Sequence, residues 1–191
     1  MKKLIVLVVF FISAFTMAQN SSKAKSLLDE VYNKVKSYDN IFVDFKYALN
    51  NEEAHINQET RGDVTMEGEK YLFNYLGSKQ LFDGSKVYTI VPENEEVTIE
   101  DKATDENTIT PSKMLTFYKL IPIDTNSEIK SILLGIDVET NHIYKLIETG
   151  KNGTKTTITV NSFKTNQSLS KTLFTFDESK YKNDGYYILR N

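Results

Sequence analysis

Side chains that could do chemistry are few in this sequence. It has no Cys, so it offers neither a thiolate nucleophile nor a disulfide. Its two histidines, His55 and His142, stand in or beside polar turns, and neither has a neighbour that would complete a metal site or a base–nucleophile pair. The phosphate-cradling patterns G-x-G-x-x-G and G-x-x-x-x-G-K-[ST] are absent, as are H-E-x-x-H and G-x-S-x-G. The acidic pairs Glu52-Glu53, Glu95-Glu96 and Asp105-Glu106 are chain neighbours. Adjacent side chains in a strand or turn point apart, so these carboxylates cannot share a proton. The acidic run from Glu93 to Glu106 lacks the regular oxygen spacing of a calcium loop. All these groups read as solvated. The expectation is a protein without catalysis, metal or cofactor.

What remains is apolar recognition. In Lys70–Leu76, Tyr71, Phe73 and Tyr75 alternate and so share one strand face. Ile41, Val43, Phe45, Tyr47 and Leu49 alternate in the same way over 41–49, with Asp44 and Lys46 on the other face. Val64 and Met66 lie on the apolar face near the end of a strand over 56–66. These side chains could fill an ordinary core or wall a cavity, and the residues alone leave that open.

The elements that would position them follow from periodicity. Ser21–Ser37 reads as an amphipathic helix, because Ala24, Leu27, Leu28, Val31, Tyr32 and Val35 recur at spacings of three and four. Gly77-Ser78 marks one turn, and Asp83-Gly84 marks a two-residue hairpin. Strands over 87–91 and 95–99 precede a polar stretch over 100–110. Thr110-Pro111-Ser112 then opens a short apolar helix containing Met114, Leu115, Phe117 and Tyr118. Strands over 132–138, 143–147 and 156–163 come next. Leu173–Phe176 is a last short apolar stretch before a polar, Tyr-containing tail. The order is helix, about six strands, helix, about four strands. Short turns imply an antiparallel sheet. Two helices are too few to cover both faces, so one long curved sheet with helices on its concave side fits best, and a two-sheet sandwich is the rival.

The N-terminus reads as an export signal. Met1-Lys2-Lys3 is basic, Leu4–Ile12 is an unbroken apolar run too short for a comfortable membrane span, and Thr16-Met17-Ala18 suits cleavage after Ala18. Gln19 follows, not the Cys that would carry a lipid anchor. Residues 19–191 suit a single domain by length. Loss of Lys2 and Lys3 leaves 21 basic against 26 acidic residues, a net charge of −5. That balance argues against nucleic acid as a partner.

The order and spacing of several segments resemble one family. These are Arg61-Gly62-Asp63-Val64, Lys70–Tyr75, Leu81-Phe82-Asp83-Gly84-Ser85-Lys86-Val87-Tyr88 and Glu96-Val97. The N-terminal helix followed by Phe42-Val43-Asp44-Phe45, the Thr110–Leu115 segment and Leu173-Phe174-Thr175-Phe176 extend the likeness over nearly the whole exported part. Together they resemble the outer-membrane lipoprotein carrier (LolA) family. The resemblance implies an α+β fold: an unclosed antiparallel β-barrel, a strongly curved sheet, with a lid of short α-helices on its concave side. It implies a periplasmic, monomeric, non-enzymatic carrier without cofactors. Such a carrier takes acylated lipoproteins from an inner-membrane ABC transporter to an outer-membrane receptor. Phe45, Tyr47, Val64, Met66, Tyr71, Phe73 and Tyr75 would line the hydrophobic cavity, with Met114, Leu115 and Phe117 in the lid. A carrier of another lipid or apolar small molecule on the same fold is the alternative. The sequence departs from the family at Glu67-Gly68-Glu69-Lys70, where many members have an Arg-Pro whose Arg holds the lid shut. Arg61 is not assigned that role.

Overall fold

The structure is a computed structural model that describes residues 24–101 and 128–190. The expected export signal, the start of the expected helix at 21–23, and the expected helix with Met114, Leu115 and Phe117 lie outside the described residues.

Residues 24–36 form helix α1. Six strands follow: β1 (Ile41–Asn51), β2 (Ile56–Glu67), β3 (Lys70–Tyr75), β4 (Ser78–Phe82), β5 (Lys86–Val91) and β6 (Glu96–Asp101). After residues 102–127 come β7 (Ile129–Asp137), β8 (His142–Gly150) and β9 (Lys155–Thr165), then helix α2 (Glu178–Asn183) and β10 (Tyr187–Arg190). All ten strands of the described residues belong to one sheet, in the order β10-β6-β5-β4-β3-β2-β1-β9-β8-β7. The end strands β10 and β7 do not pair with each other, so the curved sheet stays unclosed. The central pair β1–β2 keeps an unbroken register from Ile41↔Met66 to Asn51↔Ile56. Among the described residues, no helix is long and apolar enough to cross a membrane.

Three details differ from the sequence expectation. The β3–β4 turn is Leu76-Gly77, not Gly77-Ser78, and both residues have positive φ (51° and 74°), as a type I′ hairpin requires. The second hairpin turn is Gly84-Ser85, not Asp83-Gly84: Phe82 opposes Val87, and the Asp83 amide donates to the Lys86 carbonyl at 3.2 Å. Asp83 Oδ1 accepts the amides of Ser85 and Lys86 at 2.7 and 2.8 Å, so the Asp83 side chain braces the turn. The sheet is not wholly antiparallel, because β10 runs parallel to β6.

Strand alternation gives the sheet two apolar cores, one on each face. The first contains Ile41, Val43, Phe45, Val64, Met66, Tyr71 and Phe82, with Val35 of α1 and Tyr38 packed against it. The second contains Leu81, Tyr88, Ile90, Val97, Ile99 and Phe174. Its cover is the C-terminal segment: Leu169, Leu173, Phe176, Tyr181 and Tyr186 pack against it, and Ile188 of β10 joins them. Phe176 stacks on Tyr88 at 4.3 Å and on Tyr181 at 5.2 Å between ring centroids. The stretch Leu173–Phe176 is therefore an irregular plug, and the last strand lies beyond it at Tyr187–Arg190. Helical cover is thus not confined to the concave side: α1 packs on one face, and the segment carrying α2 on the other.

Phe174 tests this second core. Removing a buried Phe ring costs about 3–5 kcal/mol. Phe174→Ala should lower the free energy of unfolding by that amount in urea denaturation. A change below about 0.5 kcal/mol, the range of an ordinary surface substitution, would show that the C-terminal segment is dispensable.

Candidate functional site

The registers bring the seven sequence-predicted cavity residues onto one face. Ile41 opposes Met66, Met66 opposes Tyr71, and Tyr71 opposes Phe82. One step along, Val43, Val64, Phe73 and Gln80 form the next row. Phe45, Gly62, Tyr75 and Ser78 form the third, and Tyr47 with Thr60 the fourth. The aromatic members touch: Phe45 and Phe73 at 6.1 Å, Phe73 and Tyr75 at 5.7 Å, and Tyr47 and Tyr75 at 5.4 Å between centroids. Gly62 makes this packing possible. A Cβ there would sit 2.6 Å from Phe45 Cζ, so any larger residue would push the Phe45 ring off β2.

Burial falls along the face. Tyr71 is 2% exposed, Met66 5%, and Phe45 and Val64 8% each. Phe73, Tyr75 and Tyr47 are only half-buried. The same face continues across β9 and β8, which the sequence reading did not include. Val160 opposes Phe45, and Phe163 opposes Val43. Ile158 opposes Tyr47 on one side and Leu146 on the other. All four are half-buried. The signal for Ile158 and Val160 lay in their alternation with Thr157 and Thr159. Phe163 joins the face only because the β1–β9 register shifts between Asp44 and Phe45.

Charge is partitioned between the faces. Through β1–β5 and β9, every Asp, Glu, Lys and Arg in register falls on the opposite face, including Asp44, Lys46, Asp63, Lys79 and Lys164. That opposite face carries a depression of about 300 Å³ bordered by Asp44, Arg61, Asp63, Asn74 and Lys79. Its carboxylates are already engaged: Asp44 accepts from Asn161 and Asp63 from Asn74, both at 2.8 Å. Arg61 is exposed on this side, opposite Lys46, and does not reach the aromatic face. The Glu67–Lys70 turn is exposed as well, at the end of the first row.

His142 is not the solvated turn residue that the sequence suggests. Its ring stacks on Phe163 at 4.0 Å, and its Nε2 lies 2.8 Å from the Tyr38 hydroxyl. Burial, reinforced by Lys34 and opposed by Asp137, holds its pKa below the usual histidine value. A neutral His142 therefore ties the end of α1 to β8 and β9. His55 is exposed in the β1–β2 turn. Among the described residues, no group of three or more His, Asp or Glu could hold a metal ion.

Burial also acts on the phenols. It pushes Tyr71 up to about 12, and Tyr75 up to about 12 with help from the charge and hydrogen bonding of Tyr47. Tyr88 in the second core is raised to about 12 by burial and by its 2.8 Å hydrogen bond to Asp83. A raised phenol pKa stabilises the fold fully below the ordinary tyrosine value of about 10, and that contribution is lost as pH rises towards 12. An ultraviolet tyrosinate titration should show a late phase near pH 12. Tyr71→Phe, Tyr75→Phe and Tyr88→Phe should each remove one proton from it. Normal early titration of all three would refute this account of the two cores.

No family model matches the sequence, and no curated protein matches it. Solved structures do. An uncharacterised conserved protein of Thermus thermophilus is similar with a TM-score of 0.52 at 10% identity, covering 88% of this chain and 99% of its own. A LolA superfamily protein of Nitrosomonas europaea aligns with a TM-score of 0.49 at 14% identity, over 81% of this chain and 98% of its own. A putative outer membrane lipoprotein-sorting protein domain of Vibrio parahaemolyticus gives 0.45 at 10% identity, over 82% and 97%. The chain therefore shares its fold, an unclosed curved sheet, with the Thermus thermophilus protein.

Proposed function

We propose that this protein is a periplasmic carrier that binds the acyl chains of lipoproteins against its aromatic face and shuttles them from the inner to the outer membrane. One observation carries the reading: six neighbouring strands present a half-buried aromatic and aliphatic surface without one charged side chain. Each CH₂ removed from water contributes about 0.8 kcal/mol. An acyl chain leaves a membrane only for comparable burial, and a charge on the receiving surface would have to be desolvated first. The sequence resemblance supplies the rest of the proposal. The leader ends at Ala18, residues 19–191 form one domain, and Met114, Leu115 and Phe117 belong to a lid. A transporter in the inner membrane and a receptor in the outer membrane are the partners. The reading includes no catalysis. The exposed Glu67–Lys70 turn, in place of the family's Arg-Pro, favours one second reading: a carrier on the same fold whose cargo is another lipid or apolar small molecule.

Phe73→Glu tests the proposal. The new carboxylate would enter the uncharged face, where desolvation costs several kcal/mol. Binding of an apolar fluorescent probe should weaken by more than about tenfold, a factor equivalent to 1.4 kcal/mol, while far-ultraviolet circular dichroism stays unchanged. Lys79→Glu, on the opposite face, should leave binding intact. Full binding by folded Phe73→Glu would remove the aromatic face from consideration.

A further inference from the structure

The polar groups of the aromatic face fall into two sets. Tyr71 donates its hydroxyl to Gln80 Oε1 at 2.9 Å, and Gln80 Nε2 donates to Thr89 Oγ1 at 3.5 Å. That chain is satisfied within the protein. Tyr47 and Tyr75 are different. Their rings meet edge to face at 5.4 Å, both are half-buried, and they sit where the face changes from apolar to hydroxyl-bearing, with Ser78 opposite Tyr75 and Thr60 opposite Tyr47. Two phenols bring two O–H donors, and a bond between them uses one. The second O–H has no other partner among the described residues. Burial raises the Tyr75 phenol to about 12, so Tyr75 remains a donor throughout the neutral range.

Apolar surface flanks the pair on two sides. Phe45 and Phe73 lie on one, and Ile158 backed by Leu146 on the other. Strands β1–β5 and β9 bring no cation to this face, so an anionic head group would lose its hydration without gaining a counter-charge. A neutral carbonyl needs only a donor.

We propose that the Tyr47–Tyr75 hydroxyl pair is a subsite for the neutral carbonyl of an acyl ester or amide. It fixes the position of the ligand's linkage while the hydrocarbon lies over the flanking aromatic and aliphatic side chains. This deepens the acyl-carrier reading and rests on it.

The test compares two ligands of equal chain length, methyl palmitate and octadecane, as competitors of an apolar fluorescent probe on the purified exported chain. A single neutral hydrogen bond contributes about threefold to tenfold in affinity. The readout is the ratio of the two affinities, taken for the variant Tyr47→Phe/Tyr75→Phe, which keeps both rings and loses both hydroxyls. Its ester-to-hydrocarbon affinity ratio should fall threefold to tenfold, and each single variant should fall part of the way. An unchanged ratio, or equal weakening of both ligands, would overturn the subsite and leave the carrier reading standing. If neither ligand displaces the probe from the wild type, the carrier reading fails and the subsite fails with it.

Discussion

The exclusion of charge from one side of a sheet is the constraint on which the rest of this structure depends. Side chains on a strand alternate, so a charge-free face requires every second residue of six neighbouring strands to be apolar or neutral. The register must also hold, because a one-residue slip would exchange the faces. The unbroken β1–β2 pairing supplies that register at the centre of the sheet, and Gly62 lets Phe45 lie flat across it. Lysines and aspartates on the same strands keep the opposite face in water.

A ten-stranded sheet that does not close needs cover on both faces. Here the two covers come from the two ends of the chain. Helix α1 reaches the aromatic core through Val35 and Tyr38, and the Tyr38–His142–Phe163 cluster holds its end. The C-terminal segment fills the other core, over Leu81, Tyr88, Ile90, Val97 and Ile99. With no disulfide and mostly exposed ion pairs, each worth about 1 kcal/mol or less, these two cores carry the stability. The second core also bears on the site: it fixes β3–β6 from behind and so holds Tyr71, Phe73 and Tyr75 in line.

Much of this was legible in the sequence because local pattern and global fold agree along β1–β3. Ile41 to Leu49 and Tyr71 to Tyr75 alternate cleanly, and the five residues picked from them share a face with Val64 and Met66 of β2. What was missed has physical causes. Phe163 changes parity through a bulge that no composition rule marks. The type I′ turn places Leu76 at a φ of 51°, a conformation that usually favours Gly or Asn, so the turn was placed one residue late. Asp83-Gly84 has the composition of a two-residue turn, but Asp83 faces Lys86 and its carboxylate takes two amides, which puts the turn one residue on, at Gly84-Ser85. The C-terminal plug has no period to read, and its pairing to β6 spans some ninety residues of sequence, from Glu96 to Tyr187.

The central claim is that the aromatic face holds acyl chains. It is tested most directly by purifying the protein from its native cells without detergent, then recording intact-complex and denaturing mass spectra. The account predicts an acylated molecule bound at about one per chain, released on denaturation and absent from folded Phe73→Glu. A wild-type protein that is empty when isolated, and stays empty when offered acyl lipids, would contradict it.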